Sequence, residues 1–157
     1  MIPSSIEILK YPNKALINPV FSEAPSTEQL KAMEVLVRNL NAFGIASNQL
    51  GYNFCAVVVY DGKGMYTLVS PEITWMSDET DLSEEACLSL PGIRAKVYRS
   101  TSVRVRDKEG KEHLFSGLLA RIVQHEIDHI NGILFIDRLS KLRRRILIDS
   151  LKRLVRK

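Results

Sequence analysis

The sequence is poor in the features that mark disulfide-stapled, membrane-spanning or exported proteins. It has only two cysteines, Cys55 and Cys87, among 157 residues, which is too few for a disulfide framework. Its longest apolar runs, such as Phe54 to Tyr60, are far shorter than the roughly 18 residues that a membrane-spanning helix needs. The first residues lack a basic opening and a sustained apolar stretch, so we expect a cytoplasmic protein with no membrane association.

The overall amino-acid composition is typical of one ordinary soluble domain. Hydrophobic residues make up 45% of the chain and charged residues 25%. Because no internal repeat or low-complexity segment is visible, we expect residues 1–157 to form a single domain. In a reducing compartment the cysteines should stay unpaired. Cys55, within a run of valines, is then a core residue, and Cys87 is available for chemistry.

Positive charge is concentrated at the C-terminal end. Residues 138–157 carry nine Lys/Arg and one Asp, a net charge of +8, whereas the whole chain carries +4 and residues 1–137 therefore −4. Apolar residues recur there at helical spacing, which predicts a C-terminal amphipathic helix. Two interpretations of its basic face stay open: simple solvation, or a transient contact with the ribosome that involves no sequence-specific nucleic-acid recognition.

Hydrophobic periodicity predicts an α+β fold. A first amphipathic helix should begin near Ser26, whose spacing to Gln29 is that of a capping box. Extended segments follow at residues 54–60, 65–76 and 101–107, and a hairpin closes at residues 107–110. His113 lies in that hairpin and needs no function.

A second helix should cover residues 117–131, with Ser116 as a candidate N-cap and Gly132 as a left-handed C-terminal cap before extended structure resumes at residues 133–135. Apolar residues cover most of its circumference, which indicates a buried helix. We therefore expect antiparallel strands around a central buried helix.

That helix carries a His-Glu-X-X-His motif formed by His125, Glu126 and His129. Histidines at positions i and i+4 lie on one helical face and can bind one cation, while Glu126 is turned about 100° away around the axis. A carboxylate placed beside a metal can act as the general acid and base of metal-assisted hydrolysis. The alternative, two histidines without function, is weak inside a buried helix, where they would need compensating partners.

Hydrolytic metal sites usually have three protein ligands and one open position. The only acid soon after His129 is Asp137, which lies past the end of the helix. Upstream, Cys87 lies in a non-repetitive stretch between Glu85 and a Leu-Pro-Gly turn, and a thiolate is a strong ligand for a borderline cation.

Three segments together resemble the signatures of the peptide deformylases, GxGLAAxQ, EGCLS and QHExDHLxG. They read AFGIASNQ at residues 42–49, EACLS at 85–89 and QHEIDHING at 124–132, in the family's order and near its spacing. The likeness extends from residues 8–13 to residues 134–140. It implies a metal-dependent hydrolase that removes the N-formyl group from the formyl-methionine of new polypeptides and releases formate.

The resemblance also implies a role for individual residues. Cys87, His125 and His129 would bind Fe2+, with Zn2+ or Ni2+ as alternatives, and Glu126 would be the acid and base. The Gln49 side chain and the backbone N–H of Leu88 would stabilise the oxyanion. The substrate would contact a further set of residues, for some of which plain packing is the alternative: Phe43, Gly44, Ala86, Arg94, Leu118 and Ile122. Glu85 and Arg99 are hypothesised to orient the ligands, with salt bridges elsewhere as the alternative.

The chain departs from the signatures at several positions. Ala42 and Ala86 replace glycines, and Ser47 and Asn48 replace Ala-Pro or similar pairs. An alanine that had to adopt a positive φ would cost about 1 kcal/mol. Two rival functions therefore stay open. One is a metalloendopeptidase, which would not need Gln49 and Cys87 in these contexts, and the other is a deformylase-like protein that binds formylmethionyl chains or the ribosome without turnover.

Overall fold

The computed structural model describes residues 6–156. Four α-helices lie in this range: α1 (Lys14–Ile17), α2 (Thr27–Asn39), α3 (Leu118–Ile130) and α4 (Lys141–Val155). Short 3-10 turns span Ser47–Leu50 and Phe135–Arg138. The eight strands are β1 (Gly44–Ala46), β2 (Ala56–Tyr60), β3 (Met65–Val69), β4 (Glu72–Met76), β5 (Thr80–Cys87), β6 (Leu90–Ser100), β7 (Ser102–Arg106) and β8 (Glu112–Ser116).

The strands form three antiparallel units. One sheet has the order β1-β2-β3, a second has the order β4-β7-β8, and β5 pairs with β6 in a long hairpin. Every strand pair in the described range is antiparallel. The expected α+β class with antiparallel strands is therefore confirmed. No helix within residues 6–156 is long and apolar enough to cross a membrane.

Helix α3 packs against strands of all three units, namely β1, β2, β6 and β8. Its apolar side chains join those of β2 and β7 in one core cluster. Its polar face is also buried, including Gln124, Glu126, Asp128 and His129. Only its first turn is open to solvent, with Leu118 50% exposed. The helix therefore places several polar side chains in the interior of the protein.

Helices α2 and α4 pack on the outside of the strands. Ser26 and Gln29 form the expected capping box at the start of α2. Met33 and Val37 of α2 pack with Phe54 and with Ala56 and Val58 of β2. Helix α4 packs on β6 through Ile148 and Leu151 and leaves most of its basic residues exposed. Cys55 is half-buried against the core, and no disulfide joins it to Cys87.

The hairpin β5-β6 is the main element that the sequence did not indicate. Cys87 ends β5, so it does not lie in a non-repetitive stretch, and Leu90 already begins β6. The expected Leu-Pro-Gly turn is therefore wrong, since the chain reverses at residues 88–89. The sequence of the hairpin does not alternate between apolar and polar residues, because Glu85 and Arg99 occupy inward positions. Their opposite charges form a buried ion pair there.

Three local expectations are also wrong. Residues 65–76 form two strands in different sheets, because Ser70 adopts a positive φ of 46° between them. Ser116 does not cap α3, since Gly117 is the N-cap residue and the Ser116 hydroxyl lies 2.9 Å from that of Ser102. Extended structure does not continue through Phe135, which begins a 3-10 turn.

Gly132 ends α3 in the left-handed conformation that the sequence indicated. Its φ is 75°, its N–H donates to the carbonyl of His129 at 3.0 Å, and the N–H of Ile133 donates to that of Asp128 at 2.8 Å. These two hydrogen bonds define a Schellman motif. A Cβ atom here would also collide with the carbonyl oxygen of Ile17.

We expect Gly132→Ala to lower the free energy of unfolding by about 3 kcal/mol or more, because left-handed strain and steric overlap add. Gly62→Ala is the matched control, since Gly62 also has a positive φ but nothing within 4 Å of the added methyl group. Gly62→Ala should lower the free energy of unfolding by only about 1 kcal/mol. Urea unfolding of the three proteins measures both values, and equal losses would contradict the role of the Ile17 contact.

Candidate metal centre and active site

Cys87, His125 and His129 meet at one point between the end of β5 and the middle of α3. One ligand atom from each lies within 4.8 Å of the other two. The Cys87 Sγ atom is 3.3 Å from His129 Nε2, and the two imidazole centroids are 5.0 Å apart. A thiolate with two imidazoles is a common donor set for zinc and similar transition-metal ions. The residues present therefore fit a single divalent cation.

The orientation of His125 is set by Glu85. The Nδ1 atom of His125 lies 2.8 Å from Glu85 Oε1, which leaves Nε2 as the ring nitrogen that could bind a cation. Arg99 donates two hydrogen bonds to the same carboxylate, from Nε to Oε2 at 2.8 Å and from Nη2 to Oε1 at 2.9 Å. Its Nη1 donates to Asp128 at 2.6 Å. The structure thus brings Glu85 and Arg99 to the place where they can orient a ligand.

This network also sets the charges of the site. Burial raises the pKa of a carboxyl group, but hydrogen bonds from Arg99 and His125 outweigh it and hold the pKa of Glu85 at about 2. Burial would lower the pKa of His125, yet its hydrogen bonds with Cys87 and Glu85 raise it well above the usual value. Burial and the nearby His125 lower the pKa of His129 well below its usual value, so its ring is neutral.

Glu126 occupies a different environment from Glu85. It is 5% exposed, and its Oε2 atom has no hydrogen-bond partner within the described structure. Burial raises the pKa of Glu126 to about 7, which suits a group that must both accept and return a proton near neutrality. The backbone of Gly44 lies against it, since a Cβ atom at Gly44 would stand 3.1 Å from Glu126 Oε1 and 2.8 Å from the carbonyl oxygen of Val58.

Gln49 lies next to Cys87. It sits on the 3-10 turn that follows β1, and its Oε1 atom accepts the N–H of Ala46 at 2.9 Å. Its Nε2 atom is thereby directed to the site, 3.1 Å from Ser89 Oγ and 3.6 Å from Cys87 Sγ. Leu88 follows Cys87 at the tip of the hairpin and is partly exposed, with its carbonyl accepting from Lys10 Nζ at 2.9 Å.

The remaining sequence-predicted residues are spread around these groups. Phe43 is 58% exposed beside β1, and Ala86 is exposed on β5 opposite Arg94 in the hairpin register. The Arg94 side chain is 69% exposed and pairs with Glu84, which is 54% exposed, so this ion pair lies at the surface. Ile122 is a buried member of the central core cluster, whereas Leu118 is half-exposed at the start of α3.

The departures from the family signatures cause no backbone strain in this structure. Neither Ala42 nor Ala86 has a positive φ, the conformation in which a glycine would be required. Ser47 bridges two backbone groups, donating to the Phe54 carbonyl at 2.6 Å and accepting the N–H of Ala56 at 3.0 Å. Asn48 donates to the carbonyl of the ligand residue His129 at 2.7 Å. Both polar replacements thus make specific hydrogen bonds, and one buried atom, Asn48 Oδ1, has no partner within the described residues.

Arg121 is a residue of this region that sequence reasoning missed. Its guanidinium is buried and lies 2.7 Å from Glu85 Oε2. The available signal was an arginine four residues before His125, on a helix whose other faces are mostly apolar. A cation on such a helix needs a buried anionic partner, and Glu85 is that partner.

The fold thus brings together a Cys/His/His cluster that could hold a metal ion and a buried glutamate, the set of groups that metal-dependent hydrolases use. Residues 5–145 match the family model described as polypeptide deformylase. A peptide deformylase of Thermodesulfovibrio yellowstonii is 37% identical over 160 residues, covering 94% of this chain and 96% of the relative. One of Cytophaga hutchinsonii is 33% identical over 162 residues, covering 90% of this chain and 88% of the relative.

A solved structure gives the same result. The crystal structure of peptide deformylase from Ehrlichia chaffeensis superposes with a TM-score of 0.81 at 29% identity, covering 98% of each chain. The chain therefore belongs to the peptide deformylase family, whose members remove the N-formyl group from nascent polypeptides.

The two cysteines provide a matched test of the ligand set. We expect Cys87→Ser to weaken Zn2+ binding at least about 100-fold, because it removes the thiolate from a three-ligand site. Cys55→Ser should leave the Zn2+ dissociation constant unchanged, since Cys55 packs against the core away from the ligands. Competition with a chromophoric chelator measures both constants. A Cys87→Ser protein that binds Zn2+ as tightly as the parent would show that the thiolate is not a ligand.

Proposed function

We propose that this chain, as a single catalytic domain, hydrolyses the N-formyl amide of formylmethionyl polypeptides and releases formate. One observation carries the proposal: Cys87, His125 and His129 converge beside Glu126, a buried carboxylate with an unpartnered oxygen. This arrangement supplies a cation site and a proton acceptor next to each other, which metal-assisted hydrolysis requires.

Cys87, His125 and His129 would hold Fe2+, with Zn2+ or Ni2+ as alternatives. The soft thiolate and two imidazoles suit all three ions. When bound, the cation supplies Lewis acidity, which polarises the formyl carbonyl and lowers the pKa of a water molecule at the site. Since His125 has a raised pKa without a metal, loading should weaken as the pH falls.

Glu126 carries the proton through the reaction. Its carboxylate accepts a proton from the attacking water and passes it to the amine nitrogen as the C–N bond breaks. A pKa of about 7 lets the side chain perform both transfers near neutral pH. The close approach of the Gly44 backbone limits the space around the carboxylate and keeps it in one position.

Gln49 and the backbone N–H of Leu88 would stabilise the oxyanion that develops on the formyl oxygen. The orientation of the Gln49 amide is fixed because its carbonyl oxygen accepts a hydrogen bond from the Ala46 N–H. Such preorganised donors are typically worth about 2.7–4 kcal/mol each in the transition state. A formyl group is the smallest acyl group, so a tight pair of donors can surround it.

The substrate chain would bind as an additional strand. Strand β1 is at the edge of its sheet, and β5 pairs only with β6 in the described part of the chain. Backbone groups at Phe43, Gly44 and Ala86 would make the strand contacts. Leu118 and Ile122 would line the pocket for the methionine side chain, and Arg94 would lie near the C-terminal side of the substrate.

Helices α3 and α4 have different roles in the proposed function. Helix α3 is the central buried helix that fixes both histidines and Glu126. Helix α4 is the amphipathic C-terminal helix, and its exposed arginines would make a transient contact with the ribosome in the cytoplasm. Its apolar residues that face β6 hold it in place, which leaves the basic face free.

The rival functions receive less support from the geometry. A protein that binds without turnover was suggested by Ala42 and Ala86, yet neither residue has a strained backbone. A metalloendopeptidase would have no use for the directed Gln49 amide beside Cys87. The directed amide instead favours a small acyl group as the target.

The decisive experiment measures formate release from formyl-Met-Ala by protein purified without oxygen and loaded with Fe2+. We expect Glu126→Ala to lower kcat by about 10²–10⁴-fold, the usual contribution of a general acid and base. Its metal content should stay at that of the parent, because Glu126 is not a ligand. Glu109→Ala is the control, since Glu109 is an exposed turn residue.

Three results would overturn the proposal. A parent protein that holds one metal per chain but releases no formate would be a binding protein. A Glu126→Ala protein with full turnover would require another proton acceptor. Cleavage of an unformylated peptide at an internal bond would instead favour the endopeptidase.

The ribosome contact has a separate test. We expect the parent protein to co-sediment with ribosomes at low salt and to be released as salt rises, because the contact is electrostatic. A triple variant with Arg143, Arg145 and Arg153 changed to Glu should not co-sediment but should keep its formate release. Equal sedimentation of both proteins would show that α4 is not the contact.

A further inference from the structure

Arg121 is a buried arginine that touches both strands of the β5-β6 hairpin. It is 8% exposed and lies on α3 one turn before His125. Its Nη1 atom donates to Glu85 Oε2 at 2.7 Å and to the Val97 carbonyl at 2.9 Å. Its Nη2 atom donates to the carbonyl of Asp81 at 2.9 Å and to its carboxylate at 2.7 Å. One side chain of the helix is therefore bonded to both β5 and β6.

Arg121 and His125 bind different oxygens of the same carboxylate. Residues four apart lie on one face of a helix, so both reach Glu85 from the same side. Arg121 takes Oε2 and His125 takes Oε1, while Arg99 bridges the two oxygens. Each oxygen therefore receives two hydrogen bonds, and the carboxylate plane is held in one orientation.

The metal ligands come from the two elements that Arg121 joins. Cys87 is on the hairpin, whereas His125 and His129 are on α3. The hairpin and the helix meet mainly through polar contacts, made by Arg99, Gln124, His125 and Arg121. A shift of the hairpin along α3 would separate the sulfur atom from the two nitrogens.

We propose that Arg121 is a positioning residue that locks the β5-β6 hairpin onto α3, so that Cys87 meets both histidines and Glu85 orients His125. The proposal rests on the metal site described under the proposed function. A lysine could not replace it fully, because one ammonium group cannot contact Glu85, Val97 and Asp81 in the fixed geometry of a guanidinium.

The test is the Zn2+ dissociation constant, measured by chelator competition, with the visible absorption of the Co2+ form as a second readout. We expect Arg121→Met to weaken Zn2+ binding about 10–100-fold, the usual effect of losing a group that supports metal ligands. Arg121→Lys, which keeps the buried charge and is the safer variant to fold, should weaken binding about tenfold. Both should alter the Co2+ spectrum, since the positions of the ligands change.

Val103→Ala is the control for lost stability. Val103 is fully buried in β7, so its truncation destabilises the fold without touching the ligands or Glu85. We expect its Zn2+ affinity and Co2+ spectrum to match those of the parent, and circular dichroism should show that all variants are folded.

The outcomes separate this proposal from the proposed function. If both Arg121 variants match the parent in affinity and spectrum, the positioning role is wrong and the metal site stands. If Val103→Ala weakens Zn2+ binding as much as Arg121→Lys, the effect is one of general stability and the positioning role is again overturned. If the parent binds no metal, both proposals fail together.

Discussion

The candidate site depends on one buried carboxylate, that of Glu85. Two arginines and one histidine donate to its two oxygens, at distances between 2.7 and 2.9 Å. An isolated carboxylate at this depth would be strongly unfavourable, so its partners must be in place before the charge can be buried. Because those partners come from β6 and α3, the satisfied carboxylate also fixes the hairpin on the helix. The convergence of Cys87 with the two histidines follows from that constraint.

The two glutamates near the ligands show how the environment sets their chemistry. Glu85, surrounded by donors, has a pKa of about 2 and stays charged. Glu126, equally deep but with an unpartnered oxygen, has a pKa raised to about 7. The first suits a permanent structural anion and the second a group that exchanges protons. The difference in pKa comes from the hydrogen bonds that Arg99 and His125 donate to Glu85 and that Glu126 Oε2 lacks, since burial raises the pKa of both carboxyl groups.

The sequence predicted some parts of this arrangement better than others. Spacing along α3 placed His125 and His129 on one face, and Gly132 marked the end of the helix, because both depend on local backbone geometry. The β5-β6 hairpin was missed because Glu85 and Arg99 occupy inward positions where alternation leads one to expect apolar residues. Ser116 looked like a cap, but its hydroxyl pairs with Ser102 on a strand distant in sequence. Arg121 escaped notice for the same reason: its partners lie 24 to 40 residues away.

X-ray absorption at the metal edge of the Zn2+-loaded protein shows whether the thiolate of β5 and the two imidazoles of α3 share one cation. We expect one sulfur at about 2.3 Å and two imidazole nitrogens at about 2.0–2.1 Å, with the remaining ligand a light atom. A first shell of nitrogen and oxygen alone would contradict this expectation, because Cys87 would then lie outside the site that Glu85 and its partners assemble.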